Sequence, residues 1–229
     1  MLEERTIPGL HAALLLVVQS LGLPSSARIA DLACGTGAWL SRLHNAGFQA
    51  LWGIDQGEEF QAEDAAQFIR ADLDRDSPLP ARLALITMIE IIEHVQNPYR
   101  LLELAAEALQ PGGWLLITSP NVYSLRVRLR FLMQARLPHF EQCSPAPINE
   151  DHLHPLLLEP YRRKIFAPLN LSVERVWTYP ARWGHESRWF ARLIAGVARL
   201  ILRDDLPGFT LCLLLRKQGV KEQWNRKYT

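Results

Sequence analysis

Short apolar runs alternate with stretches of helical periodicity along this chain. Arg28–Leu32, Ala50–Ile54, Gln67–Ala71, Leu83–Met88, Trp114–Ser119, Leu171–Thr178 and Phe209–Arg216 read as strands. Helical spacing marks Pro8–Leu21, Ala38–Ala46, Pro98–Leu109 and Pro160–Pro168, and a further helix is placed around Glu58–Gln67. Such alternation predicts an α/β domain, a mostly parallel sheet covered by helices. Pro111-Gly112-Gly113 predicts a turn, because proline presets one dihedral and glycine frees the next. No internal repeat or low-complexity tract interrupts the pattern.

The junction between the first strand and the second helix carries the most chemistry. Arg28-Ile-Ala-Asp-Leu-Ala-Cys-Gly-Thr-Gly-Ala-Trp39 reads as strand, tight small-residue loop and helix start. Asp31 closes the strand, and Gly35 and Gly37 let backbone approach a ligand that a Cβ would push away. Asp55 lies twenty positions after Gly35, where a second strand ends and a ribose would offer two hydroxyls. A dinucleotide site wants a third small residue, yet that position is Leu40, and Asp31 would repel a pyrophosphate. The same carboxylate suits a cation: the amino group, and behind it the sulfonium, of S-adenosylmethionine. The alternative for the loop alone is a tight turn with no ligand.

Four pieces in order resemble the class I S-adenosylmethionine-dependent methyltransferases over residues 1–120. They are Ile29-Ala-Asp-Leu-Ala-Cys-Gly-Thr-Gly37, Gly53-Ile-Asp55, Phe68-Ile-Arg-Ala-Asp-Leu73 and Ile86-Thr-Met-Ile-Glu-Ile-Ile-Glu-His-Val-Gln-Asn-Pro98, the last followed by Leu109-Gln-Pro-Gly-Gly-Trp-Leu-Leu-Ile-Thr118. The Glu-His-Val-x-x-Pro stretch is most similar to the ubiquinone-biosynthesis O-methyltransferase branch. One departure is Ala84, where relatives commonly begin the fourth strand with Asp. The resemblance implies a Rossmann-like three-layer sandwich with seven strands, the last antiparallel. It implies contacts at the carboxyl ends of the strands. Asp31 would meet the methionine amino group, and the backbone of Ala33, Gly35 and Gly37 would line methionine and ribose. Asp55 would take the ribose hydroxyls, with Gln56 flanking the adenine. Asp72 and the Leu73 amide would pair with the adenine edge. Ile89 would pack near the ribose or methionine, and Arg5 could reach the methionine carboxylate or stay solvated.

Composition bounds the rest. The 229 residues suit one domain spanning 1–229, with a cofactor half at 1–120. Residues 121–229 form an acceptor half with helical insertions near 121–160 and 181–206. A net charge of +1 does not suggest a nucleic-acid partner. Cys34, Cys143 and Cys212 show no metal or disulfide spacing, as in a reducing compartment. The apolar run Leu10–Val18 follows acidic residues and lacks a basic n-region, and no run is long enough to span a membrane. The expectation is a cytoplasmic protein.

Methyl transfer to oxygen needs alignment and a base. His94, just past the fourth strand, is the first candidate; His152 and His154 come next, each with a structural hydrogen-bonding role as its alternative. Glu90, Glu93 and His94 would share a face if helical and could then ligate a divalent ion, although Glu93 could instead pair with Arg100 or cap a helix. The expected site holds no metal, with a divalent ion on these three residues as the alternative. Ser124–Met133 alternates like a strand, but its length and content favour a helix. Arg188, Arg192, Arg199 and Arg203 form one helical stripe beside Trp189, Phe190, Leu193, Ile194, Val197, Leu200 and Ile201. That helix would pack on the core or a partner, or lie in an anionic membrane interface, making residues 188–203 a peripheral contact. The expected function is methyl transfer to a small-molecule or lipid-like acceptor. Its alternative is a protein that keeps the cofactor pocket without transferase activity and acts in binding or assembly. A nicotinamide oxidoreductase is disfavoured by Leu40 and Asp31.

Overall fold

The apolar runs become strands because a parallel sheet buries both of its faces. In the computed structural model, which describes residues 2–76, 79–140, 152–179, 206 and 208–219, five of them run parallel. These are β1 (Arg28–Leu32), β2 (Ala50–Asp55), β3 (Gln67–Arg70), β4 (Leu83–Ile89) and β5 (Leu109–Pro120). Strand β7 (Thr210–Lys217) is antiparallel to both β5 and β6 (Leu171–Tyr179). The sheet order is β3-β2-β1-β4-β5-β7-β6, so the direction of winding reverses between β1 and β4.

Helices cover both faces. On one side α1 (Leu10–Ser20) and α2 (Ala38–Asn45) bury Leu10, Leu14, Trp39, Leu40 and Leu43 against Ile29, Leu51, Leu85 and Leu116. On the other, α3 (Pro98–Ala108) buries Leu101, Leu102 and Ala105 against Ile86, Met88, Leu115 and Ile117. Successive residues of β4 thus serve opposite layers, as the pleat demands. Helix α3 starts sharply because Asn97 accepts from the Arg100 amide and Pro98 occupies the first turn.

Several expectations are corrected. No helix forms over 58–67: Phe60 stacks on Phe68 with ring centroids 4.7 Å apart, and the Gln61 amide donates to the Thr36 carbonyl at 3.1 Å. These long-range contacts hold the crossover open against its local helical tendency. The helix expected at 160–168 begins earlier, as α5 (Leu158–Tyr161), and widens into a π-helical turn at Arg162–Phe166. Strand β5 begins before the expected Trp114: pairing with β4 skips from Leu109 to Trp114, so the Pro-Gly-Gly turn survives as a bulge. Ser124–Met133 is helical, as α4 (Leu125–Gln134) with Ser124 as its cap. The 188–203 stripe lies outside the described residues. Among those described, no helix is long and apolar enough to cross a membrane.

Candidate functional site

Strain gathers at the winding reversal. Ala33, just past β1, has φ 61°, and Glu90, just past β4, has φ 52°. Left-handed backbone costs a residue with a side chain roughly 1–2 kcal/mol, and such outliers cluster at functional sites. At Ala33 the turn is held by the Ala33 and Cys34 amides, which donate to the Ile54 carbonyl at 2.8 and 3.2 Å. Asp55 locks the loop from the neighbouring strand. Its Oδ2 accepts from the Gly35 amide at 2.8 Å and its Oδ1 from the Gly57 amide at 2.7 Å.

The two loop glycines do different work. Gly35 has φ +50° and a Cβ there would meet nothing within 4 Å, so it borders open space. Gly37 has φ +81°, and an added Cβ would come within 2.5 Å of Ala62 Cβ. Its need for glycine is therefore conformation and packing, not room for a ligand. Leu40, which breaks the dinucleotide pattern, is accommodated from the opposite side: a Cβ on Gly53 of β2 would stand 2.8 Å from Leu40 Cδ1. Close helix–strand approach is achieved by a glycine on the strand.

The strand tips enclose a cleft of two lobes joined at Ala33, Asp55 and His94. One lobe, of about 570 Å³, is lined by Gln56, Asp72, Leu73 and Asp74 on one side and Ile91, Val95 and Gln96 on the other. Asp72 Oδ1 accepts from the Asp74 amide at 3.0 Å, and Asp74 Oδ1 accepts from the Gln96 amide at 2.8 Å. Asp74 thereby ties the segment after β3 to the turn after β4. The other lobe, of about 360 Å³, is lined by Arg5, Asp31, Gly35, Ile89 and Glu90. Arg5 forms an ion pair there with Glu59, both side chains being exposed.

Asp31 is buried and Thr87 Oγ1 donates to its Oδ1 at 2.5 Å. Burial pushes its carboxyl up to about 7, Thr87 partly offsets this, and Asp55 adds repulsion. A positive group entering the lobe would relieve that cost. His11 and Trp39 also line this lobe, their rings 5.4 Å apart. Sequence reasoning missed both, because α1 and α2 present them only after packing together. His11 is buried, which lowers its pKa; Glu4 at 3.6 Å opposes the shift and Arg42 adds to it.

Beyond β4 the expected helical face of Glu90, Glu93 and His94 does not form. The left-handed Glu90 ends the strand, and the chain enters a turn in which the His94 amide donates to the Ile91 carbonyl at 2.9 Å. The Leu153 and His154 amides donate to the Glu93 carbonyl at 2.6 and 3.2 Å, bringing the 152–154 segment onto that turn. His152 then meets His94 edge-on, with centroids 4.6 Å apart. His154 turns away, its Nε2 lying 3.2 Å from the Gln96 carbonyl.

Glu93 is fully buried, and neither carboxyl oxygen has a well-formed hydrogen-bond partner. Burial, then the Glu90 charge, raise its pKa well above the usual carboxylate range, although its own backbone and Ser119 lie near enough to oppose this. Glu90 is raised to about 7 by burial, against a hydrogen bond from Thr118. Among the described residues the ligand-capable set is Glu93, His94 and His152, each placing one donor atom within 4.8 Å of the others. His152 thus stands where the sequence pattern had put Glu90.

A family model described as a methyltransferase domain matches residues 5–159. The ubiquinone biosynthesis O-methyltransferase of Leptothrix cholodnii is 26% identical over 123 residues, covering 46% of this chain and 49% of that protein. The chain therefore spans about half the length of the curated relatives it matches. A solved S-adenosylmethionine-dependent methyltransferase from Archaeoglobus fulgidus superposes with a TM-score of 0.62 at 18% identity, over 90% of this chain and 92% of that one. The magnesium protoporphyrin IX methyltransferase of Synechocystis PCC 6803, solved with S-adenosylhomocysteine, gives 0.60 at 14% identity, over 91% and 82%. At these identities the structural likeness shows the fold.

Proposed function

The chain belongs to the class I S-adenosylmethionine-dependent methyltransferases, and from that premise we propose that its two-lobed cleft binds S-adenosylmethionine and directs the methyl group to an oxygen of a small-molecule acceptor. The observation that carries this reading is the set of carboxylates at successive strand ends, Asp31, Asp55 and Asp72, lining two lobes that meet at Asp55. The larger lobe suits adenine, with Asp72 and Leu73 on its edge and Gln56 beside it. Asp55 sits at the junction for the ribose. The smaller lobe suits the methionine end: Ala33, Gly35 and Ile89 line it and Gly37 holds the loop. Asp31 there receives the ammonium, and Arg5 lies on the carboxylate side.

Bound in this way, S-adenosylmethionine supplies an already activated sulfonium methyl, which leaves alignment, exclusion of water and proton removal to the protein. His94 borders both lobes and touches His152, so either imidazole is placed to take the proton of an acceptor hydroxyl. His154 serves that arrangement by holding its segment. A second reading is favoured by the clustered donor atoms: a divalent ion on Glu93, His94 and His152 would acidify the hydroxyl instead. Activity that survives exhaustive chelation would reject the ion, whereas loss reversed by added magnesium, manganese or zinc would assign it.

The finer reading of the acceptor is lipid-like. Leu129, Phe131, Leu132 and Met133 of α4 are exposed, at 42–81%, and the arginine and apolar residues of 188–203, which lie outside the described residues, would add a peripheral contact for anionic lipid if helical. Liposomes of anionic lipid that fail to bind the protein at low salt would remove this part. Calorimetry with S-adenosylhomocysteine against NAD tests the core of the proposal. Preference for NAD would reject it.

A further inference from the structure

Behind the carboxylate of the smaller lobe runs a buried chain of hydrogen bonds that joins three elements. Trp39 Nε1, on α2, donates to Thr87 Oγ1 at 3.2 Å, and Thr87 Oγ1, on β4, donates to Asp31 Oδ1 at 2.5 Å. The three side chains are 1%, 0% and 3% exposed. The rest of β4 is apolar: Leu83-Ala-Leu-Ile precede Thr87 and Met88-Ile89 follow it. A buried hydroxyl costs free energy unless it is paired, and valine has nearly the same shape. Packing alone therefore does not account for a threonine here.

The first member of the chain fixes its direction. An indole N–H can only donate, so it takes a lone pair of the Thr87 hydroxyl and leaves that hydroxyl one proton to give. Two acceptors lie within reach, Asp31 Oδ1 at 2.5 Å and the Ala30 carbonyl at 3.4 Å. The short bond goes to the carboxylate, the stronger acceptor when ionised, and bonds in such a series polarise one another. Other titratable groups face the same lobe: Asp55 of β2, Glu90 and His94 past β4, His11 of α1, and Glu3 and Arg5 ahead of it. Burial drives the Asp31 carboxyl up to about 7; the Thr87 bond works against that rise and Asp55 adds to it. The Cys34 thiol beside them stays neutral, because burial pushes it up.

We propose that Thr87, its proton aimed by Trp39, is a positioning residue for the ammonium end of S-adenosylmethionine: it ties one oxygen of Asp31 so that the other is presented to the lobe. This rests on the methyltransferase reading above and extends it to a residue behind the site. Thr87 is fully buried and lines neither lobe, so it acts through Asp31 and not by touching the ligand. A carboxylate held in place beforehand need not be ordered when the cofactor arrives.

The test compares two ligands of the full chain by calorimetry. S-adenosylhomocysteine carries the amino group; methylthioadenosine shares its adenosine and sulfur and lacks that group. Thr87→Val removes the hydroxyl and should weaken S-adenosylhomocysteine by about tenfold or more at neutral pH, since a hydrogen bond to a charged group is lost. Methylthioadenosine affinity should not change. The pH below which S-adenosylhomocysteine binding falls should also move upward, because the ionised form of Asp31 loses its donor. Thr87→Ser returns the hydroxyl and should restore both the affinity and the pH profile. Trp39→Phe removes the directing N–H and should give a smaller loss with the same preference for the amino-bearing ligand; it carries the test if the valine variant does not fold. Equal weakening of both ligands, or a lowered Tm with both affinities intact, would mark a merely structural role and overturn the inference. Failure of the wild-type protein to bind S-adenosylhomocysteine would instead sink the methyltransferase reading.

Discussion

The two sides of the cleft are built by different means. On the cofactor side, backbone makes the site: Asp55 bridges two amides, Asp74 reaches across to the Gln96 amide, and the β1–α2 turn hangs on the Ile54 carbonyl. Beyond β5, side chains make it. His152 meets His94 and His139 through ring contacts, and α4 buries only Val127. A ligand common to a whole family can be read by invariant backbone geometry, whereas a particular acceptor is read by side chains on elements free to vary.

The largest expected effect would test the first half of that contrast. Asp55→Ala removes two backbone anchors and, on the proposed binding mode, the partner of the ribose hydroxyls. Hydrogen bonds to a charged group contribute about 1.5–3 kcal/mol each, so affinity for S-adenosylhomocysteine should fall by roughly three orders of magnitude in calorimetry. Retained affinity would mean that the loop, not its carboxylate, makes the site. Next comes His152→Ala, which tests the other half. Loss of a general base costs about 10²–10⁴ in rate, and cofactor affinity should be unchanged because His152 borders neither lobe. His154→Ala should reduce kcat only severalfold, since its ring contacts the Gln96 carbonyl. Equal losses from the two variants would erase the distinction drawn between them.

Asp31 gives a smaller effect with a defined sign. Burial raises its pKa to about 7, so below neutrality cofactor binding must expel a proton. Affinity should fall by up to about tenfold per pH unit below pH 7 and level off above it. The stability of the free protein runs the other way. A carboxyl raised in the folded state contributes most below its unfolded pKa, and that contribution is lost as pH rises through 7. Asp31→Asn should accordingly raise Tm at pH 8 while weakening cofactor binding. A flat pH profile for wild-type binding would remove Asp31 from contact with the ammonium.

Much of the cofactor side was legible because its signals are local. Each strand is a short apolar run with an acidic residue at or near its end, and the loop between β1 and α2 keeps its glycines in sequence. Features that depend on distant contacts were not legible. The 58–67 segment reads as helix until Phe60 finds Phe68. The Glu90, Glu93, His94 spacing suggests a helical face until the left-handed Glu90 breaks it, and the ligand set then takes in His152. The turn of the chain after α4 depends on the left-handed Ala135, for which no glycine or asparagine gives notice.

The smallest effect on the cofactor concerns how Leu40 fits where a dinucleotide fold places a small residue. An added Cβ at Gly53 would stand 2.7 Å from Cys34 Sγ and 2.8 Å from Leu40 Cδ1. Gly53→Ala should therefore cost about 1–3 kcal/mol by overpacking, read as a lower denaturation midpoint, with cofactor affinity reduced no more than severalfold. Truncating the opposing side chain supplies the missing space. In the double variant with Leu40→Ala the two costs should add to less than their sum, because the new methyl enters the cavity that the lost leucine leaves. Strict additivity would mean that Cys34 alone limits the approach, and that helix–strand spacing on the cofactor side is set by the loop turn instead of by the glycine across from it.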